Sequence, residues 1–146
     1  MTVHLLDANV LIALIDRLHS FHAAAERWFA ANWSGGWATC PLTENATVRI
    51  VGHRRYGNYF QPPEAVATQL RDLTQLPGHE FWRDDISLLD LARIDPMRLR
   101  TPAQITDTYL LALAVAHGGK LATFDHRLAT DAVANGAEAL QLIAAD

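Results

Sequence analysis

Residues 3–16, with the sequence VHLLDANVLIALID, join a short apolar run to a helical pattern, and an aspartate stands at the junction. The first four residues predict a buried strand, and the stretch from Ala8 to Asp16 predicts a helix. Asp7 is therefore expected to end a strand and start a helix. Because Asp7, Asn9 and Asp16 interrupt the apolar residues, this stretch is expected to be neither a signal peptide nor a membrane span.

The same alternation of strands and helices continues along the chain. Further strands are predicted at residues 37–40, 79–82, 120–124 and 138–143, and further helices after a Ser20 cap, from Pro41, from Pro62, over 86–94, from Ile105 to about Gly118, and within 125–136. Strands separated by helices predict an α/β fold with three α/β/α layers and a mainly parallel central sheet. Sites in such sheets form beyond the carboxyl ends of the strands.

Length and composition predict one globular domain over residues 1–146, because half of the residues are hydrophobic and 19% are charged. Sixteen acidic residues against twelve basic ones give a net charge of −4, which excludes a broadly basic protein that coats nucleic acid. A small enzyme with a local basic groove stays possible. The single cysteine, Cys40, excludes an internal disulfide and a cysteine-rich zinc site. We expect a soluble cytoplasmic protein.

Four acidic residues stand at predicted strand ends or helix starts and have apolar neighbours in the sequence: Asp7, Glu44, Asp107 and Asp125. Helix capping explains any one of them. Taken together they predict more, because clustered carboxylates repel one another unless they share protons or bind cations. Oxygen ligands without histidine or cysteine favour Mg²⁺ or Mn²⁺, and such a site suits the hydrolysis of phosphate esters.

Three segments in this order, LLDANVLIAL (5–14), ITDTYLLALA (105–114) and LATFD (121–125), together with the segment around Glu44, resemble the acidic motifs of the PIN-domain ribonucleases. The chain resembles most closely the VapC-type toxins of bacterial type II toxin–antitoxin systems, from Val3 to about Ile143. The resemblance implies a PIN-like fold and metal-dependent cleavage of RNA, for which we expect 5′-phosphate and 3′-hydroxyl ends. It also implies a homodimer and inhibition by a VapB-type antitoxin.

The resemblance assigns catalytic and metal-binding roles to Asp7, Glu44, Asp107 and Asp125. Four polar residues are predicted to support these carboxylates or a nearby water, with helix capping as the alternative: Asn9, Thr43, Thr106 and Thr123.

Arginines near these motifs are candidate contacts to RNA: Arg49, Arg54, Arg55, Arg98, Arg100 and Arg127. Arg54 and Arg55 stand beside Tyr56 in the sequence RRYGNYFQ, a mixture that can bind phosphates and stack on unpaired bases. The alternative is a solvated loop with packed aromatic side chains. Four tryptophans predict core packing and a hydrophobic surface on which an antitoxin would dock: Trp28, Trp33, Trp37 and Trp82.

Two other functions stay open, a catalytically silent PIN-like RNA-binding or regulatory module and a metal-dependent DNA nuclease. A phospho-receiver domain is disfavoured because Lys120 begins its predicted strand instead of ending it. A nucleotide-binding Rossmann unit is disfavoured because the first turn has no glycine-rich sequence.

Overall fold

The computed structural model describes residues 1–145, which form a five-stranded sheet with helices between the strands. The strands are β1 (His4–Leu6), β2 (Trp37–Thr39), β3 (His79–Phe81), β4 (Lys120–Thr123) and β5 (Leu140–Leu142), and the helices are α1 (Ala8–Ile15), α2 (His22–Asn32), α3 (Pro41–Val51), α4 (Pro63–Thr74) and α5 (Ile105–Ala116). Short 3₁₀ turns lie at Trp33–Gly35, Pro96–Arg98, Pro102–Gln104 and Ala137–Ala139. The predicted α/β class is confirmed.

The strand order is β3-β2-β1-β4-β5, and every neighbouring pair is parallel. The chain builds outward from β1 in one direction and then returns to place β4 on the other side of β1. The direction of winding therefore reverses between β1 and β4, which is where parallel α/β sheets bind their ligands. Leu6 pairs with Ala122, so both strands end together. We call this the carboxyl edge of the sheet.

Both faces of the sheet are buried at its three central strands, β1, β2 and β4, as three layers require. Leu5 and Leu121 belong to the core beneath α5. Leu6 and Ala122, the next residue of each strand, belong to the core beneath α1 and α2. Because successive side chains of a strand point to opposite faces, two-sided burial explains why Leu5 and Leu6 of β1 and Leu121 and Ala122 of β4 are all apolar.

Helix ends agree with the sequence at two places and differ at one. Pro41 occupies the first turn of α3, where its missing N–H removes no helical hydrogen bond. Gly118 follows α5 with a φ of 68°, a conformation that favours glycine after a helix. The predicted Ser20 cap is wrong, because α2 begins at His22 and no side chain caps it.

The helix predicted over 86–94 is wrong, since this segment forms turns. The Ser87 hydroxyl accepts a 3.0 Å hydrogen bond from the Leu89 N–H, and the Asp90 carboxylate accepts one of 3.0 Å from the Ala92 N–H. Such local bonds offer the backbone an alternative to helical pairing. The helix predicted within 125–136 is replaced by turns in the same way, with the Asp125 carboxylate accepting from the backbone two residues later.

The four tryptophans do not share an exposed surface. Trp37 and Trp82 are buried, and the Trp82 ring stacks on His117 with centroids 4.3 Å apart. Trp28 packs edge-on against the buried His4, whereas Trp33 is exposed. The predicted tryptophan surface for a partner is therefore wrong. The prediction of core packing holds for Trp37 and Trp82, and also for Trp28, which packs against the core beneath α1 and α2. In the part of the chain that the structure describes, no helix has the length and apolar character needed to cross a membrane.

Candidate active site at the carboxyl edge

Asp7 and Asp125 follow adjacent strands and therefore emerge at the same edge of the sheet. The Asp7 N–H continues the sheet pairing with a 3.0 Å hydrogen bond to the Ala122 carbonyl oxygen. Its carboxylate then caps α1, because Oδ1 accepts a 2.7 Å hydrogen bond from the Ala8 N–H. Asp107 reaches the site from the first turn of α5 and is half-buried.

Thr123 is the centre of the hydrogen bonds that hold Asp7. Its hydroxyl donates to Asp7 Oδ2 at 2.8 Å and accepts from Asn9 Nδ2 at 3.0 Å and from the Asp125 N–H at 3.1 Å. The side-chain oxygen Oδ1 of Asn9 accepts a hydrogen bond from the Phe124 N–H at 3.2 Å. Asn9 and Thr123 thus tie the ends of β1 and β4 together, which is the support predicted for them from sequence. Whether they also hold a water stays a prediction.

Burial and the charges of neighbouring aspartates both act on the aspartates at this edge. Burial, together with the charges of Asp7 and Asp125, raises the pKa of Asp107 to about 6. Burial likewise raises the pKa of Asp7, against the lowering effect of its hydrogen bonds from Thr123 and Ala8. A cation placed between these carboxylates would favour their charged forms.

Glu44 lies in the first turn of α3, but its hydrogen bond is with the neighbouring strand. Glu44 Oε2 accepts a 2.7 Å hydrogen bond from the Thr39 hydroxyl, which also lies 2.8 Å from His79 Nε2. Because the hydroxyl proton of Thr39 goes to Glu44, Nε2 of His79 must be the donor. Burial lowers the pKa of His79, and the charge of Glu44 partly opposes this shift. The charges that raise the pKa of Asp107, in contrast, are those of Asp7 and Asp125.

The donor set at this edge fits Mg²⁺ or Mn²⁺, because carboxylate oxygens are the ligands that these ions prefer. Asp7, Asp107 and Asp125 are near enough for their charges to interact. Across residues 1–145, however, no three His, Cys, Asp or Glu side chains are already close enough together to hold a metal ion.

Thr43 and Thr106 are placed differently from Asn9 and Thr123. The buried Thr43 hydroxyl accepts from the Cys40 N–H and donates to the Cys40 carbonyl oxygen, both at 3.1 Å. This is the geometry of a helix cap, the alternative considered from sequence. Thr106 is exposed in the first turn of α5.

The arginines predicted to contact RNA fall at two ends of the molecule. The Arg127 N–H donates to Asp125 Oδ1 at 2.9 Å, so this residue adjoins the carboxyl edge. Arg49 lies in the last turn of α3, and Arg54 and Arg55 follow its end. Arg49 is about 12 Å along the helix axis from the start of α3, and Arg54 and Arg55 follow the end of this helix, which is about 16 Å long.

Sequence reasoning overlooked how the chain is fixed before α5. Thr101 and Gln104 form a capping box, in which each side chain bonds to the backbone of the other. The pattern T-x-x-Q was a readable signal for this. Asp131 was also overlooked as a partner of Arg98 and Arg100, and no local pattern could reveal that contact, because the residues are more than 30 positions apart.

A parallel α/β domain with aspartates at its switch point defines the class of fold and site. The PIN domain family model matches residues 4–133. Ribonuclease VapC44 of Mycobacterium tuberculosis is 45% identical over 129 residues, covering 88% of this chain and 90% of the relative. Ribonuclease VapC39 of the same organism is 44% identical over 136 residues, covering 93% and 98%.

The solved structure of Mycobacterium tuberculosis VapC20, a Sarcin-Ricin loop cleaving toxin, superposes with a TM-score of 0.61 over 90% of this chain and 96% of that one. Its sequence identity is 13%, so this likeness concerns the fold. The chain belongs to the VapC ribonucleases of the PIN domain family. The resemblance read from the acidic motifs is confirmed.

Proposed function

We propose that this protein is a divalent-metal-dependent endoribonuclease that acts as the toxin of a toxin–antitoxin pair. The observation that carries the proposal is that Asp7, Asp107 and Asp125 lie at the switch point of the sheet, near enough for their charges to interact. Close similarity to relatives named as ribonucleases supports RNA as the substrate.

We assign Mg²⁺ or Mn²⁺ as the cofactor, with Asp7, Asp107 and Asp125 as the residues that would hold it. Such an ion supplies activation of water and stabilisation of charge on a phosphate ester. Glu44 is the fourth residue assigned to this function, although in the structure its carboxylate is bonded to Thr39.

The chain itself contributes positioning. The hydrogen bonds of Thr123 and Asn9 hold the Asp7 carboxylate next to the backbone of Asp125 at the carboxyl edge. α5 presents Asp107 from its first turn, where the helix dipole favours a negative charge on the side chain. Arg127, next to Asp125, is assigned to the substrate.

The proposal includes a VapB-type antitoxin as partner, a homodimer as the functional form and the cytoplasm as the location. Family membership supports these assignments. Copurification of the protein with the product of an adjacent small reading frame would test the antitoxin, and light scattering across a concentration series would test the dimer. Failure to copurify would contradict the first assignment, and a monomer at all concentrations the second.

Cleavage of single-stranded RNA by wild type and Asp7→Asn, in Mg²⁺, Mn²⁺ and chelator, tests the central proposal. We expect cleavage by wild type with either ion and none in chelator. Asp16→Asn is the matched control, because it neutralises another buried aspartate at the other end of α1. Undiminished cleavage by Asp7→Asn would contradict the proposed site.

The same assay separates the two alternatives. Cleavage of DNA in preference to RNA would favour a DNA nuclease. Binding of RNA without cleavage under any metal condition would favour the catalytically silent module.

A further inference from the structure

We propose that Arg98 and Arg100, brought together by Asp131, bind a backbone phosphate of the RNA beside the candidate active site. We call these two arginines the arginine pair. The inference rests on the proposed function and adds to it a position for the substrate chain.

Asp131 draws two positive charges to one point. Its Oδ2 lies 3.2 Å from Arg98 Nη1 and 3.1 Å from Arg100 Nη1, so both guanidinium groups meet on a single oxygen. Arg98 Nε also lies 3.4 Å from Asp95 Oδ2. Each guanidinium has five N–H donors, and Asp131 engages one nitrogen of each.

The arginine pair is anchored to the helix that carries Asp107. Gln104 Oε1 accepts hydrogen bonds from the Arg100 N–H at 2.8 Å and the Thr101 N–H at 3.1 Å, and its amide donates to the Arg98 carbonyl oxygen at 3.1 Å. Gln104 precedes Asp107 by three residues, a rise of about 4.5 Å on the same side of a helix. The backbone of the pair is therefore held within about one turn of a candidate catalytic acid.

The opposite side of the pair is anchored to the segment that follows Asp125. The Asp95 N–H donates to the Ala132 carbonyl oxygen at 2.8 Å, and the Ala134 N–H donates to the Arg93 carbonyl oxygen at 2.9 Å. An antiparallel bridge between Ile94 and Val133 lies between these bonds. Asp131 belongs to this segment, so the pair links the chain before Asp107 to the chain after Asp125.

The chemistry of the pair matches a phosphate. Planar guanidinium groups bind phosphate oxygens in a bidentate manner, and two of them can share one anion. The side chains of Arg98 and Arg100 are 49% and 57% exposed, which leaves them accessible to a polymer in solution. An RNA phosphate would bind N–H groups of the two guanidinium groups that do not contact Asp131, while Asp131 keeps the pair together.

The test is binding of a single-stranded RNA in the cleavage-deficient Asp7→Asn background, with and without Arg98→Ala and Arg100→Ala together. Anisotropy titrations over a salt series give both affinity and salt dependence. We expect the double substitution to weaken binding about tenfold or more and to flatten the slope of log K against log salt by about 0.7 for each phosphate that is no longer neutralised. In the cleavage-competent protein, KM should rise while kcat changes by less than about threefold.

The matched control replaces Arg17 and Arg93 with alanine. It removes the same charge from the far end of α1 and from beside the C-terminal half of α5, where Arg93 lines a small pocket with Ala112 and Val115. We expect its salt slope to match that of the parent. Equal losses of affinity in both double variants would overturn the inference, because charge alone would then explain them.

Asp131→Asn distinguishes phosphate binding from a structural brace. Both arginines remain in this variant while a competing anion is removed, so we expect an unchanged salt slope and equal or tighter binding. Weakening of binding as large as that of the double arginine variant would overturn the inference. If the wild-type protein cleaves RNA and the double arginine variant cleaves it with the same kcat and KM, this inference is refuted and the proposed function stands. If the wild-type protein does not cleave RNA at all, the proposed function is refuted.

Discussion

Two aspartates flank α1, both buried, and their surroundings are opposite in effect. Asp16, 2% exposed, accepts hydrogen bonds from the Tyr56 hydroxyl, the Asn58 amide and the Leu18 N–H. Burial raises its pKa, but these bonds and His19 outweigh burial and hold the pKa below its usual range. Asp7, 7% exposed, has a raised pKa in spite of its two hydrogen bonds.

The difference between the two ends of α1 distinguishes a structural acid, Asp16, from a candidate functional one, Asp7. Asp16 joins the end of α1 to the loop after α3, and its charge is satisfied by donors from that loop. Asp7 shares its edge of the sheet with Asp107 and Asp125. Burial raises the pKa of Asp7 and of Asp107, so a nearby cation would stabilise the charged forms of both carboxylates. Groups with such perturbed pKa values cluster at functional sites.

The largest expected effect is on catalysis. Asp7→Asn should lower RNA cleavage by on the order of 100-fold or more, because it removes a carboxylate from the group assigned to the metal. Asp16→Asn should cleave within about threefold of wild type once the folded fraction is corrected for. Single-turnover rates with circular dichroism on the same samples measure both. Similar activity losses in the two variants would erase the contrast between the two ends of the helix.

The second effect is on stability, where we expect the larger loss for Asp16→Asn and the smaller one for Asp7→Asn. Asp16→Asn should reduce the free energy of unfolding by about 2 kcal/mol, because hydrogen bonds to a buried charged group are removed. Tyr56→Phe, which removes one donor, should cost about 1 kcal/mol. Urea unfolding at pH 7 measures these values. If Asp7→Asn proves equally destabilising, Asp7 serves the fold as much as Asp16 does.

The third effect is a pH dependence of stability, with one sign for Asp107 at the carboxyl edge and the opposite sign for Asp16 at the end of α1. Because the pKa of Asp107 is about 6 in the folded chain and about 3.9 when unfolded, the folded state binds the extra proton, and stability falls as pH rises between these values. In chelator, Asp107→Asn should therefore be more stable than wild type above pH 6, by about 1 kcal/mol after solvent screening, and equal to it near pH 3. Asp16, with its lowered pKa, instead stabilises above its ordinary pKa and loses that effect in acid.

Thermal unfolding of wild type and Asp107→Asn from pH 3 to pH 8 measures the effect of Asp107 on stability. A Mg²⁺ titration of both proteins at pH 7.5 then tests whether Asp107 belongs to the metal site. The ion should raise the Tm of wild type and leave that of Asp107→Asn nearly unchanged. Equal Mg²⁺ shifts in the two proteins would remove Asp107 from the metal site.

The smallest expected effect concerns Arg54, on the loop that Asp16 holds. If RNA runs along α3, about 16 Å of helix corresponds to about 5 nucleotides at ~3.4 Å each. Arg54→Ala should then weaken binding of a 20-nucleotide RNA about twofold, with a slightly smaller salt slope, and leave a 6-nucleotide RNA unaffected. No change with the long RNA would assign this loop to structure, and an equal change with both would bring Arg54 to the active site.

Much of the candidate site followed from local rules. Asp7 and Asp125 were predicted to share an edge because parallel strands end together, and the strand pairing of Leu6 with Ala122 bears this out. Glu44 shows where such rules stop. Its place at the start of α3 was predictable, but its hydrogen bond depends on Thr39 from β2 and on His79 from β3.

The sequence by itself determined the α/β class and the position of each acid on its strand or helix, because apolar periodicity and capping act over a few residues. The resemblance of its acidic motifs indicated the family. Only the tertiary structure decided how these positions are used. Folding places Tyr56 and Asn58 where they donate hydrogen bonds to Asp16, which separates this residue from the aspartates of the candidate active site. Folding also brings Arg98 and Arg100 together on Asp131. The physical reason is that the pKa and the partners of a buried charge depend on burial and on groups distant in the chain, which become neighbours only after folding.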